Sequence, residues 1–318
     1  MPRFDVAVVG ELNLDLILYG LPEQLPTERE FLADGLRLTL GSSSAILAHN
    51  LAALGARVAF ASLIGDDPLG EIALQRLAAA GVDVSQVKKA RGRTTGLTVI
   101  LQHDGCRRIL TYPGTMTDMS RADLDVEFLK SARHFHASSF FLQPALRPQV
   151  SRLFAEMKAA GLSTSFDTND DPEDRWEGVF EVLPHVDVFL PNEREALRLT
   201  GAADLDSAVE QLAKRVPVLA VKLGAQGALA RRGKEEFRCP AAKVTSVDPV
   251  GAGDSFDAGF LYQYLRGADL SACLYCGNLA GALSTTMPGG TEAFRDPSRV
   301  EQFFRQHAQP ATDHAGQI

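Results

Sequence analysis

Lys243-Val244-Thr245-Ser246-Val247 leads into Asp248-Pro249-Val250-Gly251-Ala252-Gly253-Asp254, after which Phe256, Phe260, Leu261, Tyr264 and Leu265 recur on one helical face. The β-branched run predicts a strand over 243–247, the small residues a tight turn, and the apolar spacing a helix over Ser255–Arg266. A glycine-rich turn at a helix start lets backbone approach a ligand closely, and free N–H groups there attract anions.

Outward from this unit, apolar and β-branched runs at Asp5–Val9, Arg57–Leu63, Ser163–Phe166, Val186–Leu190 and Val218–Lys222 predict further strands. Helical spacing lies between most of them, as in Ile46, Leu47, Leu51 and Leu54, or Ile72, Leu74 and Leu77. Strands alternating with helices imply an α/β three-layer sandwich with a mostly parallel central sheet. Two regions break the rhythm, about 12–40 and 94–113. In the second, Thr95–Leu101 and Arg108–Tyr112 flank Asp104-Gly105 and read as a hairpin. With Leu36–Leu40 and Leu14–Tyr19 it is expected to form a small β-sheet lid on a single domain over 1–306, followed by a disordered tail from His307 to Ile318.

The 318 residues are 45% hydrophobic, enough for a full core, and the net charge of −8 is spread among interspersed acids and bases. With no long Lys/Arg run, nucleic acid is not expected as a partner. Cys106, Cys239, Cys273 and Cys276 are too few and too irregular for a disulfide framework. No secretory signal or membrane-length apolar segment is visible, so the expected location is the cytoplasm. Cys273-x-x-Cys276 sits in a helical pattern and His134-x-His136 in a strand-like run, and both read as structural rather than metal-binding.

In an open parallel sheet, ligands bind beyond the carboxyl ends of the strands. Glu11, Asn13 and Asp15 follow the first predicted strand, Asp167 and Asn169 the third, Asn192, Glu193 and Glu195 the fourth, and Lys222 and Gly224 the fifth. Any one of these is commonly a cap or turn residue, but four strands delivering polar groups to one rim point to a site. Gly251, Ala252 and Gly253 suit an anion hole for a phosphoryl group in flight, and Asp254 can accept the proton of an attacking hydroxyl. The same residues would serve equally as a turn and a helix cap. The segment lacks the third glycine of a dinucleotide fingerprint, and Gly227 to Gly233 with Lys234 has the wrong spacing for a P-loop.

The segment from Asp248 to Asp254, followed by Ser255-Phe256-x-Ala258-Gly259-Phe260, resembles the C-terminal signature of the ribokinase-like, or phosphofructokinase-B, carbohydrate kinases. Matches extend along nearly the whole chain: Gly10-x-x-Asn13-x-Asp15, Gly65-Asp66-Asp67-x-x-Gly70, Asp167-x-Asn169, Asn192-Glu193-x-Glu195, Lys222-x-Gly224-x-x-Gly227 and Asn278. The resemblance implies transfer of the γ-phosphate of ATP to a sugar hydroxyl, with Asp254 as base and Gly251 to Gly253 as anion hole. It implies that Asn13, Asp15, Gly41, Ser42 and Asn169 hold the substrate, and that Asn192, Lys222, Gly224, Gly227 and Asn278 line the ATP site. Glu195, with Asn192, would organise Mg²⁺ through water. Some members have a monovalent-cation site beside the glycine turn, which makes K⁺ a candidate cofactor, and lids in the family often pair between subunits, which makes a homodimer a candidate assembly.

In Gly41-Ser42-Ser43-Ser44-Ala45-Ile46 this sequence departs from the family. Ser42 replaces a second glycine and Ile46 a substrate-binding asparagine, with Ser42, Ser43 and Asn50 as candidate substitutes. Val250 stands where many members carry Thr. Asp167-Thr168-Asn169 followed by Arg175-Trp176 is similar to ketodeoxygluconate and fructose kinases of the family and points to a hexose-like substrate. A nucleoside kinase is the alternative within the family, and a non-catalytic sugar-binding regulator the alternative outside enzymes.

Overall fold

Runs such as Phe4–Val9 and Val218–Lys222 are buried along almost their whole length, which requires a sheet covered on both faces. The computed structural model describes residues 2–103 and 106–307. Among these, nine strands form one sheet in the order Glu235–Cys239, Ala228–Arg232, Val218–Lys222, Val188–Phe189, Ser163–Phe166, Ala132–Ala137, Phe4–Val9, Val58–Gly65 and Asp83–Ala90. From Val218–Lys222 across to Asp83–Ala90 neighbouring strands are parallel, and Ala228–Arg232 runs antiparallel to both its neighbours. One face packs a core around Phe135, Phe154 and Phe166, the other a core around Phe60, Phe256 and Phe260.

The two interrupting regions come together as a second sheet, ordered Gly35–Leu40, Leu14–Tyr19, Leu97–His103 and Cys106–Tyr112. Leu14–Tyr19 pairs parallel with Leu97–His103, and the two outer strands pair antiparallel. The expected hairpin is present, with its turn residues Asp104 and Gly105 outside the described residues. Leu36, Ile109, Leu110 and Tyr112 stand exposed on the two outer strands.

Three expectations change. The segment 243–247 forms no strand: it leaves the sheet edge and runs to the helix Leu270–Thr285, where Val247 N–H donates to Thr285 O at 2.7 Å. The next helix spans Ala252–Tyr264, starting earlier than Ser255, because Gly251 at φ 71° supplies the left-handed residue from which it begins. Val186–Leu190 contracts to the two-residue strand Val188–Phe189. Of the expected tail, His307 is described and closes the helix Pro297–Gln306, whereas 308–318 lie outside the described residues.

Among the described residues no helix is long and apolar enough to cross a membrane. Cys239, Cys273 and Cys276 are free thiols, and among the described residues no three His, Cys, Asp or Glu side chains come together as a metal site. Both ring nitrogens of His134 meet serine hydroxyls, Ser163 and Ser165 at 2.7 Å each, while His136 is bonded through Nδ1 to Ser165 at 2.8 Å.

Candidate functional site

Gly251, Ala252 and Gly253 form the first turn of the helix Ala252–Tyr264, so their N–H groups lie at its positive end. Gly251 is required by contact as well as by backbone: a Cβ there would fall 2.5 Å from Gly290 Cα and 3.2 Å from Ile46 Cδ1. Ile46, in the place of the family's asparagine, is buried and backs this turn as an apolar support.

Asp254 follows at once and accepts a hydrogen bond from the Ser43 hydroxyl. Burial, reinforced by the Asp167 charge, lifts its carboxyl to about 6. It stays ionised at neutral pH yet can take a proton, as a general base must.

Beneath it lies an ion cluster. Lys222 Nζ donates to Asp167 Oδ2 at 2.7 Å and to Asp257 Oδ2 at 3.0 Å, with both carboxylates 1% exposed. The lysine stem passes 3.7 Å from where a Gly253 Cβ would be. Burial works against charge on Lys222, but Asp167, Asp257 and Glu195 outweigh it and hold the ammonium above the ordinary lysine range. Asp167 feels the opposite balance: burial raises its carboxyl, and Lys222 with the Asp257 and Asn169 hydrogen bonds brings it below the usual range. Burial, with the Asp167 charge and hydrogen bond, pushes Asp257 well above that range against the pull of Lys222. Asp257 carries no marker in the sequence; one helical turn past Asp254, its only signal is an acidic residue on an otherwise apolar face.

Asn192 and Glu195 cap the helix Glu193–Thr200 reciprocally: Asn192 N–H donates to Glu195 Oε2 at 2.8 Å, and Glu195 N–H to Asn192 Oδ1 at 2.9 Å. Burial, then the Asp167 charge, lifts Glu195 to about 8. Asp167, Glu195, Asp254 and Asp257 thus gather around Lys222, and these oxygen ligands beside the glycine turn suit a divalent cation arriving with phosphates and water. Gly227 and Asn278 converge on one segment: Asn278 Nδ2 donates to Cys239 O at 2.9 Å, and a Gly227 Cβ would fall 2.1 Å from the same oxygen. Gly224, by contrast, has open space around it.

On the other side of Asp254, Asn13 and Asp15 lie where the two sheets meet. Asn13 Nδ2 donates to Thr98 Oγ1 at 3.4 Å, while its buried Oδ1 has no partner among the described residues. Burial, then the Asp254 and Asp248 charges, raises Asp15 to about 7. Gly41 leaves room for it, since a Cβ there would fall 2.2 Å from Asp15 Oδ1. Ser42 keeps the glycine-like backbone of the residue it replaces, with φ 71°, and its hydroxyl donates to Glu11 O and accepts from Ala45 N–H.

Glu11, at the end of the first strand, is 3% exposed and accepts from Ser139 Oγ at 2.6 Å and Ser44 Oγ at 2.8 Å. Ser139 is tied in turn to Asn169 Oδ1 through its N–H at 2.8 Å, and Asn169 Nδ2 reaches Asp167 at 3.4 Å. Trp176 lies apart from these polar groups: its ring packs on Phe141 with centroids 5.4 Å apart, and Nε1 donates to Asp174 Oδ1 at 2.6 Å. Asp248 accepts from Val250 N–H at 3.0 Å, Gly289 N–H at 2.9 Å and Tyr19 Oη at 3.5 Å.

The fold has known counterparts. A family model described as pfkB family carbohydrate kinase matches residues 3–297. An uncharacterized sugar kinase of Archaeoglobus fulgidus is 31% identical over 246 residues, 76% of this chain and 96% of that protein. A cytidine kinase of Thermococcus kodakarensis is 29% identical, covering 86% of this chain and 93% of that one. A crystal structure of a putative ribokinase II from E. coli in complex with ATP and Mg²⁺ superposes with a TM-score of 0.85 at 27% identity, over 96% of this chain and 100% of the other.

Proposed function

This chain belongs to the pfkB carbohydrate kinase family, a family of phosphotransferases acting on hydroxyl groups, and from that premise we propose that it transfers the γ-phosphate of ATP to a hydroxyl of a neutral sugar. The observation that carries the reading is Asp254, a buried carboxyl raised to about 6, in the first turn of a helix whose N-terminus is shaped by Gly251 and Gly253. Asp254 takes the proton of the acceptor hydroxyl as that oxygen bonds to phosphorus and the β-phosphate oxygen leaves. The N–H groups of Gly251, Ala252 and Gly253 receive the charge that develops on the transferred group.

Asn13, Asp15, Gly41, Ser42 and Asn169 frame the acceptor, with the unpaired Asn13 Oδ1 available to a sugar hydroxyl. Asn192, Gly224, Gly227 and Asn278 frame the nucleotide, and Lys222 acts from beneath, its charge fixing Asp167 and Asp257 under the phosphate turn. Glu195 with Asn192 would hold Mg²⁺ through water; when bound, that ion neutralises phosphate charge. Within the acceptor side the Asp254 charge raises Asp15 and the Glu11 charge raises Asp254, and the lysine beneath is already paired, so a neutral polyol is favoured over a sugar acid or sugar phosphate.

The small sheet serves as a lid that excludes water, and its exposed Leu36, Ile109, Leu110 and Tyr112 make it the surface for a homodimer. Free thiols at Cys239, Cys273 and Cys276 accord with a reducing cytoplasm. The second reading, a nucleoside kinase, is favoured by the Thermococcus relative and by loss of the family asparagine at Ile46. Membership of a phosphotransferase family argues against a non-catalytic binder.

The test is ADP release from ATP and Mg²⁺ across ketoses, aldoses, sugar acids, sugar phosphates and nucleosides, with Asp254→Asn as control. The reading expects a neutral sugar to be the best acceptor and the variant to lose on the order of 10² to 10⁴ in kcat while still binding ligands. Wild-type turnover in the variant would place the base elsewhere, and nucleosides outcompeting every sugar would favour the second reading.

A further inference from the structure

A cavity of about 440 Å³ lies away from the phosphate turn, between the helices Ser43–Ala53 and Pro68–Ala79 and the turn Glu292–Phe294. Ile72, Ala80 and Phe294 contribute apolar wall, and Arg76, Arg295 and Glu292 bring charge to it. Such a volume matches that of small-metabolite sites, which combine apolar walls with a few convergent polar groups.

The charges are arranged for an anion. Arg76 Nη1 reaches Glu292 Oε1 at 3.4 Å and Arg295 Nη1 reaches Glu292 Oε2 at 3.0 Å, and among the described residues neither guanidinium has another partner. Each guanidinium has five N–H donors, so most remain unspent, and two cations flank one carboxylate. His49, which also lines the cavity, adds the opposite function. Asn50 Nδ2 donates to Gly290 O at 2.9 Å, and a carbonyl can only accept, so the Asn50 atom that meets His49 Nδ1 at 2.8 Å is an acceptor oxygen. The His49 proton is therefore on Nδ1, and Nε2 is left as an acceptor for a hydroxyl. Burial holds the ring neutral, pulling it down to about 4.

We propose that this cavity is a second binding site, for a phosphorylated polyol whose anionic group is held by Arg76 and Arg295 and whose hydroxyl donates to His49. It is wired to the phosphate turn by direct contacts. Asn50 Nδ2 also donates to Ser255 Oγ at 2.9 Å, next to Asp254, and Gly290 Cα lies against Gly251. A second connection runs through Glu292, whose Oε1 accepts from Thr39 Oγ1 at 3.0 Å, and Thr39 pairs with Asp15 across the small sheet. An anion that takes over the two guanidiniums removes the counter-charges of Glu292 and thereby alters its hold on Thr39.

The test uses hydrogen exchange on the full chain with ribose 5-phosphate, with ribose and inorganic phosphate as probes that each carry half of the recognition. Because no turnover is read, the result is independent of the kinase assignment. Ribose 5-phosphate is expected to slow exchange over 72–80 and 291–297 and to change it over 35–40, in the wild type and in Asp254→Asn alike, with each half-probe weaker. Arg76→Gln with Arg295→Gln is expected to weaken binding at least about tenfold. Ala53→Leu, which narrows the cavity without touching its charges, should weaken it as well, so that loss in both variants at unchanged melting temperature is specific. Protection confined to 251–255, protection undiminished in the double variant, or no protection at about 10 mM probe overturns the proposal.

Discussion

Asn50 Nδ2 donates to Ser255 Oγ at 2.9 Å, joining two helices across 205 residues of chain at the position beside Asp254. The same amide holds Gly290 O, so one side chain fixes both the helix start and the strand of backbone packed behind Gly251. Asn50→Ala is expected to cost about 1–3 kcal/mol, the penalty for leaving buried polar groups unpaired. Urea unfolding measures this, and kcat should fall with the loss of the anchored turn. A variant of wild-type stability would show that the amide is dispensable.

The acid limb of turnover should report Asp254. Its carboxyl must be ionised to accept a proton, so kcat rises as pH climbs through about 6 and levels above it. A pH profile with its limb near 4, the range of an unperturbed carboxylate, would contradict a buried base.

Ser42 sits at φ 71° and ψ 124°, a conformation that glycine adopts freely and serine does not. Relief of that strain is worth roughly 1–3 kcal/mol, whereas replacing a serine cap by glycine costs only a few tenths. Ser42→Gly should therefore stabilise the protein by about 1 kcal/mol in denaturant titration. A net loss of stability would mean that the Ser42 hydroxyl bonds outweigh the strain.

Glu195 offers a linkage test. Its carboxyl is raised from 4.5 to about 8 in the fold, so the contribution of this group is fully present below pH 4.5 and is lost as pH rises through about 8. Glu195→Gln preserves the reciprocal helix cap and cannot ionise. The melting temperature of the variant relative to wild type, both without Mg²⁺, should rise between pH 6 and pH 9 across that pKa. A constant difference over this range would show that Glu195 titrates elsewhere.

Most of the framework was legible because buried parallel strands write continuous apolar runs, as Val218–Lys222 and Ser163–Phe166 do. Asp83–Ala90 and Glu235–Cys239 escaped because they are outer strands, the first half-buried and the second largely exposed, that carry no apolar alternation. The run 243–247 misled for the opposite reason: its β-branched residues look like a strand, but the chain there has already passed the sheet edge. At the site, Asp254, Asn192 and Glu195 could be read from local motifs, each being defined by its neighbours in sequence. Asp257 could not, because what distinguishes it is Lys222, a partner far along the chain, and Glu11 was legible only by its place after the first strand, its tie to Ser139 being equally distant in sequence.

Trp176 is the single tryptophan of the chain, and it rests on Phe141, in the same short stretch as Ser139. The stretch containing Asn169 and the stretch containing Ser139 therefore carry a native fluorophore between them. Its emission reads the packing of these two stretches without any label, and loosening there would appear as a change in intensity and colour from one residue.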